Sequence, residues 1–260
     1  MYSLRTMRRR HGSRPYCQLR EDSGDTLSDF YLIGGEVRRT TGDTVAEWLT
    51  AEGATNAYVR TWYDQSGNGV DVTQATESSQ PQFMPSGGDA FSTPSLDFSS
   101  NYLSASPPVT AAPFTFIGVC ASHNNAANLS PFGIRNGVGG GWWFPMFGGQ
   151  VGDPFACFIN PGLFFAQTTS GYAEDTPVTV SGVIESPTSR SVYLNNGSVA
   201  TSTDSSTPTS INSMVIGAAD TGGADSMDGE ICEVLLFASA AGAPTRSAVY
   251  DDQAAYYGIS

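Results

Sequence analysis

The chain has 260 residues, 40% of them hydrophobic, with 25 acidic and 12 basic side chains and a formal net charge of −13. That sign argues against nucleic acid as a partner, because neutralising phosphates needs basic surface. The mean hydropathy of −0.17 and the lack of any run of 18 apolar residues offer no membrane-spanning helix, so no membrane insertion is expected.

Every basic residue is Arg, and nine of the 12 lie before residue 61. The opening Met1-Tyr2-Ser3-Leu4-Arg5 has no apolar core of the kind export signals carry, so none is expected. Arg8, Arg9 and Arg10, with Arg14, stand against an acidic remainder of the chain. Two readings follow: a docking face that orients an acidic partner, or ion pairs with the protein's own carboxylates, which the planar guanidinium fork suits.

In chain order, Thr44-Val45-Ala46-Glu47 has the form of a capping box. It predicts a helix with Val45 and Leu49 on one face and Gly53 as its stop. A strand over residues 57–61 then runs into Trp62-Tyr63-Asp64-Gln65-Ser66-Gly67-Asn68-Gly69. Gly67, Asn68 and Gly69 suit the positive φ of a sharp turn. Asp64 can pin that turn by accepting loop N–H bonds, which makes Asp64, Gln65 and Asn68 a candidate structural loop.

Further strands are expected at residues 114–121, 177–185, 214–217 and 230–237. A hairpin spans residues 191–199, with Asn196-Gly197 as its turn signal. Residues 231–237 are apolar on both faces except for Glu233, the pattern of an inner strand. Glu233 is expected to satisfy loop N–H groups or to pair with an Arg. A closing helix over 245–257 places Val249, Gln253 and Tyr256 on one face, with Gly258 as its cap. Short strands, 29 Gly and 15 Pro, with no repeat and no linker, predict one all-β domain over residues 1–260.

The four cysteines, Cys17, Cys120, Cys157 and Cys232, form no CxxC, and His11 and His123 have no ligand spacing near them. A zinc site is therefore not expected, and reduced thiols are. No cofactor is expected, although the oxygen-rich loop of Asp220, Asp225 and Asp228 suits calcium in kind, if not in spacing. Trp142-Trp143-Phe144-Pro145-Met146-Phe147 is the candidate glycan platform. Aromatic faces pack against the C–H faces of sugars, and adjacent tryptophans on a strand point to opposite faces. The alternative is that these aromatics fill the core. Asn124, Asn125, Asn128 and Asn136 lie close in sequence.

Several motifs carry a resemblance. The Trp62-Tyr63-Asp64-Gln65-Ser66-Gly67-Asn68-Gly69 run with Val72-Thr73-Gln74-Ala75 and Gln80-Pro81 resembles a signature of laminin-G-like, concanavalin-A-like jelly-roll domains. These occur in phage virion proteins and in the catalytic domain of α-L-arabinofuranosidases. Tyr2-Ser3-Leu4-Arg5 and Leu19-Arg20, Ile216-Gly217-Ala218-Ala219, Asp228-Gly229-Glu230-Ile231-Cys232-Glu233-Val234 and Tyr256-Tyr257-Gly258-Ile259 are similar to other segments of the phage modules. The resemblance implies a jelly-roll sandwich of two antiparallel sheets with short peripheral helices.

Within the enzymes, hydrolysis uses a Glu nucleophile and an Asp acid. Val215-Ile216-Gly217-Ala218-Ala219-Asp220 is similar to the motif bearing the acid, which would fall on Asp220. The segment similar to the nucleophile's motif, Pro131-Phe132-Gly133-Ile134-Arg135-Asn136-Gly137, has no Glu and has Arg135 near that place. The expectation is therefore a noncatalytic virion structural protein: a capsid decoration, head-fibre or tail-associated module, assembled in the host cytoplasm and exposed on the virion surface. Its expected partners are major capsid or tail proteins, further copies of itself in a homo-oligomer, and host-surface glycans held by Trp142, Trp143, Asn136 and Asp220. The alternatives are a carbohydrate-binding module and an arabinofuranosidase-like glycoside hydrolase.

Overall fold

The structure is a computed structural model, and it describes residues 1–3, 14–124, 129–136, 140–147, 154–159, 164–203 and 211–260. Over residues 136–165 only the backbone of these is described. The strands in chain order are β1 (Tyr2–Ser3), β2 (Cys17–Glu21), β3 (Leu27–Ile33), β4 (Glu36–Arg38), β5 (Ala57–Trp62), β6 (Val72–Thr73), β7 (Gln82–Met84), β8 (Ser95–Ser99), β9 (Leu103–Ala105) and β10 (Phe114–Ser122). They continue with β11 (Phe132–Asn136), β12 (Gly140–Phe147), β13 (Pro154–Ile159), β14 (Phe164–Gly171), β15 (Val178–Ser186), β16 (Ser189–Leu194), β17 (Ser198–Ser202), β18 (Ser213–Ile216) and β19 (Asp228–Phe237). Two helices, α1 (Val45–Glu52) and α2 (Ala243–Tyr257), lie outside the strands.

Antiparallel pairing runs β3-β2-β5-β6-β9-β18-β11-β12-β13-β14 through one layer. A second run is β7-β8-β19-β10-β15-β16-β17, with β1 also on β19. The two runs join where β5 pairs with both β6 and β7. The fold is a concanavalin-A-like jelly-roll sandwich. β19 lies inside the second layer, between β10 on one side and β8 and β1 on the other.

The core between the layers is aromatic and aliphatic, including Phe98, Phe116, Phe132, Ile134, Val180, Ile216 and Ile231. Phe116 and Phe132 meet across it with centroids 5.7 Å apart. A second cluster of Phe91, Val119, Ala121, Cys232, Tyr257 and Ile259 lies under α2. β19 is thus apolar on both faces because each face has its own cluster.

Local signals placed α1 well. Thr44 and Glu47 form the reciprocal capping box, and Gly53 ends the helix at φ 70. The buried face differs from the expectation, since Trp48 joins Val45 inside while Leu49 is only partly buried. Trp48 packs edge-on against Phe30 at 5.2 Å. In α2, Gln253 and Tyr257 are buried, and Tyr256, expected inside, is 44% exposed. The 191–199 hairpin forms, but its left-handed residues are Asn195 and Asn196 at φ 49 and 54, rather than Asn196-Gly197.

Glu233 is fully buried. It accepts from the Ser3 hydroxyl at 3.1 Å, Gln253 Nε2 at 3.0 Å and the Tyr257 hydroxyl at 3.3 Å, so it ties β1 and α2 to β19 through side chains. Cys17, Cys120 and Cys232 are free and buried, and burial pushes each thiol well above its ordinary range. The Cys157 side chain lies outside the described residues.

Candidate functional site

β18 and β11 pair from Phe132↔Ile216 to Arg135↔Ser213, and the chain then turns at Gly217 and loops back over β11 before β19. Phe132 and Ile134 point into the core. The alternating positions, Gly133 and Arg135, therefore share the other face. The loop crosses that face at Gly133, where a Cβ would stand 2.4 Å from the Ala219 carbonyl oxygen and 3.0 Å from that of Ala218. The missing side chain lets the 217–226 loop lie flat on the strand. Its internal bonds are Ala219 N–H to Ala224 O (2.9 Å), Gly223 N–H to Asp220 O (3.1 Å) and Met227 N–H to Gly217 O (2.8 Å).

This crossing brings Asp220 to Arg135. Asp220 Oδ2 accepts from Arg135 Nη1 at 2.8 Å, with both side chains 14% exposed. Asp220 Oδ1 accepts the backbone N–H groups of Gly222 (2.7 Å) and Ala224 (3.1 Å). Asp225 follows at φ 46, and its carbonyl accepts the Ser130 N–H at 2.8 Å. Burial pushes the Asp225 carboxyl above its ordinary pKa, and the Asp220 charge pushes it further. One carboxylate is thus held by a guanidinium while its neighbour retains its proton to higher pH.

In β12, Trp142 occupies the register position opposite Arg135, and Trp143 the position opposite Ile134. Asn136 is opposite Gly140. Register thus places Trp142 beside Arg135, on the side that the Asp220 loop crosses, and Trp143 beside the core-facing Ile134, so the four sequence-derived glycan candidates, Trp142, Trp143, Asn136 and Asp220, are not all brought to one face. The side chains of Asn136, Trp142 and Trp143 lie outside the described residues. No group of three or more His, Cys, Asp and Glu side chains among the described residues is arranged to hold a metal ion. The calcium reading of the Asp220, Asp225 and Asp228 loop thus gains no donor cluster.

The Asp64 loop is elsewhere. Asp64, 1% exposed, accepts from the Met1 amino group (2.8 Å), Ser66 N–H (2.8 Å), Ser66 Oγ (2.7 Å) and Val70 N–H (3.3 Å). Burial works to raise its pKa, but the bonds from Met1 and Ser66 outweigh it and bring the carboxyl down to about 2. Gln65 Nε2 donates to Pro15 O and Tyr63 O. Gly67 and Gly69 take positive φ, at 89 and 75; Asn68 does not, and its N–H bonds Ser66 Oγ. Arg8, Arg9 and Arg10 lie outside the described residues. Other early arginines pair within the chain: Arg14 with Asp71, Arg20 with Asp25, Arg38 with Glu36 and Arg39 with Asp43.

The Arg135–Asp220 contact was not evident from sequence. The available signal was Gly133-x-Arg135, a glycine and a charge two apart on a strand, which marks a close crossing with polar company.

No protein-family model matches the chain, and no curated protein matches it. Solved structures do. A GH54 α-L-arabinofuranosidase mutant soaked with 4-nitrophenyl α-L-arabinofuranoside matches with TM-score 0.69 at 16% identity, covering 96% of this chain and 61% of that one. Domain 4 of an extracellular GH43 arabinanase from Geobacillus stearothermophilus, in complex with arabinotriose, matches with TM-score 0.57 at 11% identity, covering 72% and 92%. Trypanosoma rangeli sialidase matches with TM-score 0.54 at 13% identity, covering 75% and 31%. The chain thus spans about three fifths of the arabinofuranosidase. None of these three is a phage or laminin-G protein, and what they share with the chain is a β-sandwich fold. They correct the expectation of a noncatalytic protein. The arabinofuranosidase that matches over 96% of the chain is a glycoside-cleaving enzyme, and the 217–226 loop holds two carboxyls, Asp220 and Asp225.

Proposed function

We propose that the chain binds and cleaves arabinofuranosyl-containing glycans at the 217–226 loop. The observation that carries this reading is the pair of unequal carboxyls, Asp220 bound to Arg135 and Asp225 inclined to keep its proton. A carboxyl inclined to keep its proton beside an ion-paired one is how glycoside-cleaving sites separate an acid from a charged partner. Asp225 gives its proton to the glycosidic oxygen as the C–O bond breaks, water adds to the anomeric carbon, and the water's proton restores the carboxyl. Asp220, anchored by Arg135, stabilises positive charge developing on the sugar ring. The arabinofuranoside and arabinotriose named with the matching structures support the sugar class.

The test is turnover of 4-nitrophenyl α-L-arabinofuranoside and release of arabinose from arabinotriose. Loss of turnover in both Asp225→Asn and Asp220→Asn, with the fold retained, is expected. Absence of turnover in the unmodified, folded chain refutes the reading, whatever sugar it binds. The opening segment's resemblance to phage modules supports a virion surface as the setting, and a mass-spectrometric census of purified particles tests that separately.

A further inference from the structure

A second concave surface lies away from this loop and shares no residue with it. Register aligns Arg20 of β2 with Tyr58 of β5, Tyr58 with Gln82 of β7, and Gln82 with Asp97 of β8. Residues opposite in register share a face. The alternating Leu19, Val59, Phe83 and Leu96 are buried in the core, so this row forms the outward face of four neighbouring strands. It floors a cavity of about 400 Å³, lined as well by Glu77 and Ser78 of the short 3-10 turn Glu77–Ser79 and by Ser99 and Asn101, whose Nδ2 donates to Ser78 O at 3.3 Å. That volume is within the range of about 300–1,000 Å³ typical of small-molecule sites.

The floor is preset. The Arg20 guanidinium lies 5.0 Å from the Tyr58 ring centroid, its Nε donates to Gln80 Oε1 at 2.8 Å, and its Nη1 donates to Asp25 Oδ1 at 2.6 Å. Its charge is therefore spoken for. Gln82 gives its amide nitrogen to Asn56 Oδ1 at 3.0 Å, which leaves its carbonyl oxygen for a ligand. The remaining groups are mostly acceptors or hydroxyls: the Glu77 and Asp97 carboxyls and the Ser78 and Ser99 side chains. Burial raises the Asp97 pKa despite the opposing charge of His123, and among the described residues only His123 approaches its carboxyl as a donor. Its approach to His123 Nε2 is 3.8 Å, beyond hydrogen-bond length.

An aromatic ring beside acceptors that lack donors, in a cavity too polar for an apolar ligand, calls for a ligand bearing many hydroxyls. We propose that this groove is a second saccharide site, taking a neutral oligosaccharide laid across β5, β7 and β8. Asp22, Glu77 and Asp97 all line it, so sugars bearing carboxylates are repelled while neutral hydroxyls are welcomed.

The experiment titrates the full chain by calorimetry with neutral trisaccharides that carry no arabinofuranosyl unit for the 217–226 loop (xylotriose, cellotriose), with a uronic-acid trisaccharide, and with spermine as a cationic probe. The variants are Tyr58→Ala, Gln82→Leu, Asp97→Ala and Asp220→Asn. A neutral trisaccharide is expected to bind, with affinity reduced at least roughly tenfold in Tyr58→Ala and Asp97→Ala and unchanged in Asp220→Asn. Gln82→Leu, on the same row but away from the Arg20 stack, substitutes for Tyr58→Ala if the latter lowers the melting point. No binding of any neutral trisaccharide, binding that survives all three groove variants, or preference for spermine or the uronic acid would each overturn the proposal. Sensitivity to Asp220→Asn alone would assign the sugar to the 217–226 loop and likewise overturn it, whereas failure of turnover at that loop leaves the groove's binding readout intact.

Discussion

Replacing Asp64 by Asn keeps the shape of the side chain and removes its charge. In the folded protein that charge sits 1% exposed among four donors. A carboxyl held at about 2 against an ordinary 3.8 favours its ionised form by about 2.4 kcal/mol, at about 1.36 kcal/mol per pH unit. Solvent reaching the exposed tip at residues 66–69 screens part of this, so about 2 kcal/mol is expected. For a chain of this size that is a melting-point drop of about 4–8 °C at pH 7. Because the folded pKa is depressed, the stabilisation is complete above the ordinary value and lost as pH falls through the folded one. The difference between wild type and Asp64→Asn should therefore hold from pH 7 to about 5 and shrink between about pH 4 and 2. Urea denaturation at several pH values measures it. A variant as stable as wild type at pH 7, or a difference that does not change down to pH 2, would refute the assignment of the charge as the element that pins this loop.

Gly133→Ala places a methyl against the Ala218 and Ala219 carbonyls, which cannot rotate away. It should cost about 1–3 kcal/mol in a thermal melt and abolish turnover by displacing Asp220. Asp225→Asn should separate chemistry from stability. A carboxyl with a raised folded pKa loses stability as pH rises through that value, so the neutral variant should melt at or above the wild-type temperature at pH 7 while turnover disappears. In His123, burial lowers the pKa, but the Asp175 contact at 2.5 Å and the Asp97 charge outweigh it and leave it raised. That contribution is full below the ordinary value of 6.5 and is lost as pH climbs through the folded one. His123→Gln should thus be less stable than wild type by about 0.5–1 kcal/mol at pH 6 and equal to it at pH 9, measured by urea denaturation.

Sequence alone determined whatever depends on neighbours along the chain. The capping box at Thr44 and Glu47, the glycine stops at Gly53 and Gly258, and the inner-strand character of 231–237 all follow from backbone rules or hydrophobic period within a few residues. Even there, the choice of Trp48 over Leu49 and of Tyr257 over Tyr256 waited on the packing partners, Phe30 for the one and Phe91 for the other. Tertiary structure alone decided the sites. Arg135 meets Asp220 because a loop 85 residues later in the chain crosses a bare Gly133, and Arg20, Tyr58, Gln82 and Asp97 form one row because four strands adopt one register. Register and crossing are set by the burial of the opposite faces of those strands, a property of the assembled sheets that no local window of sequence contains.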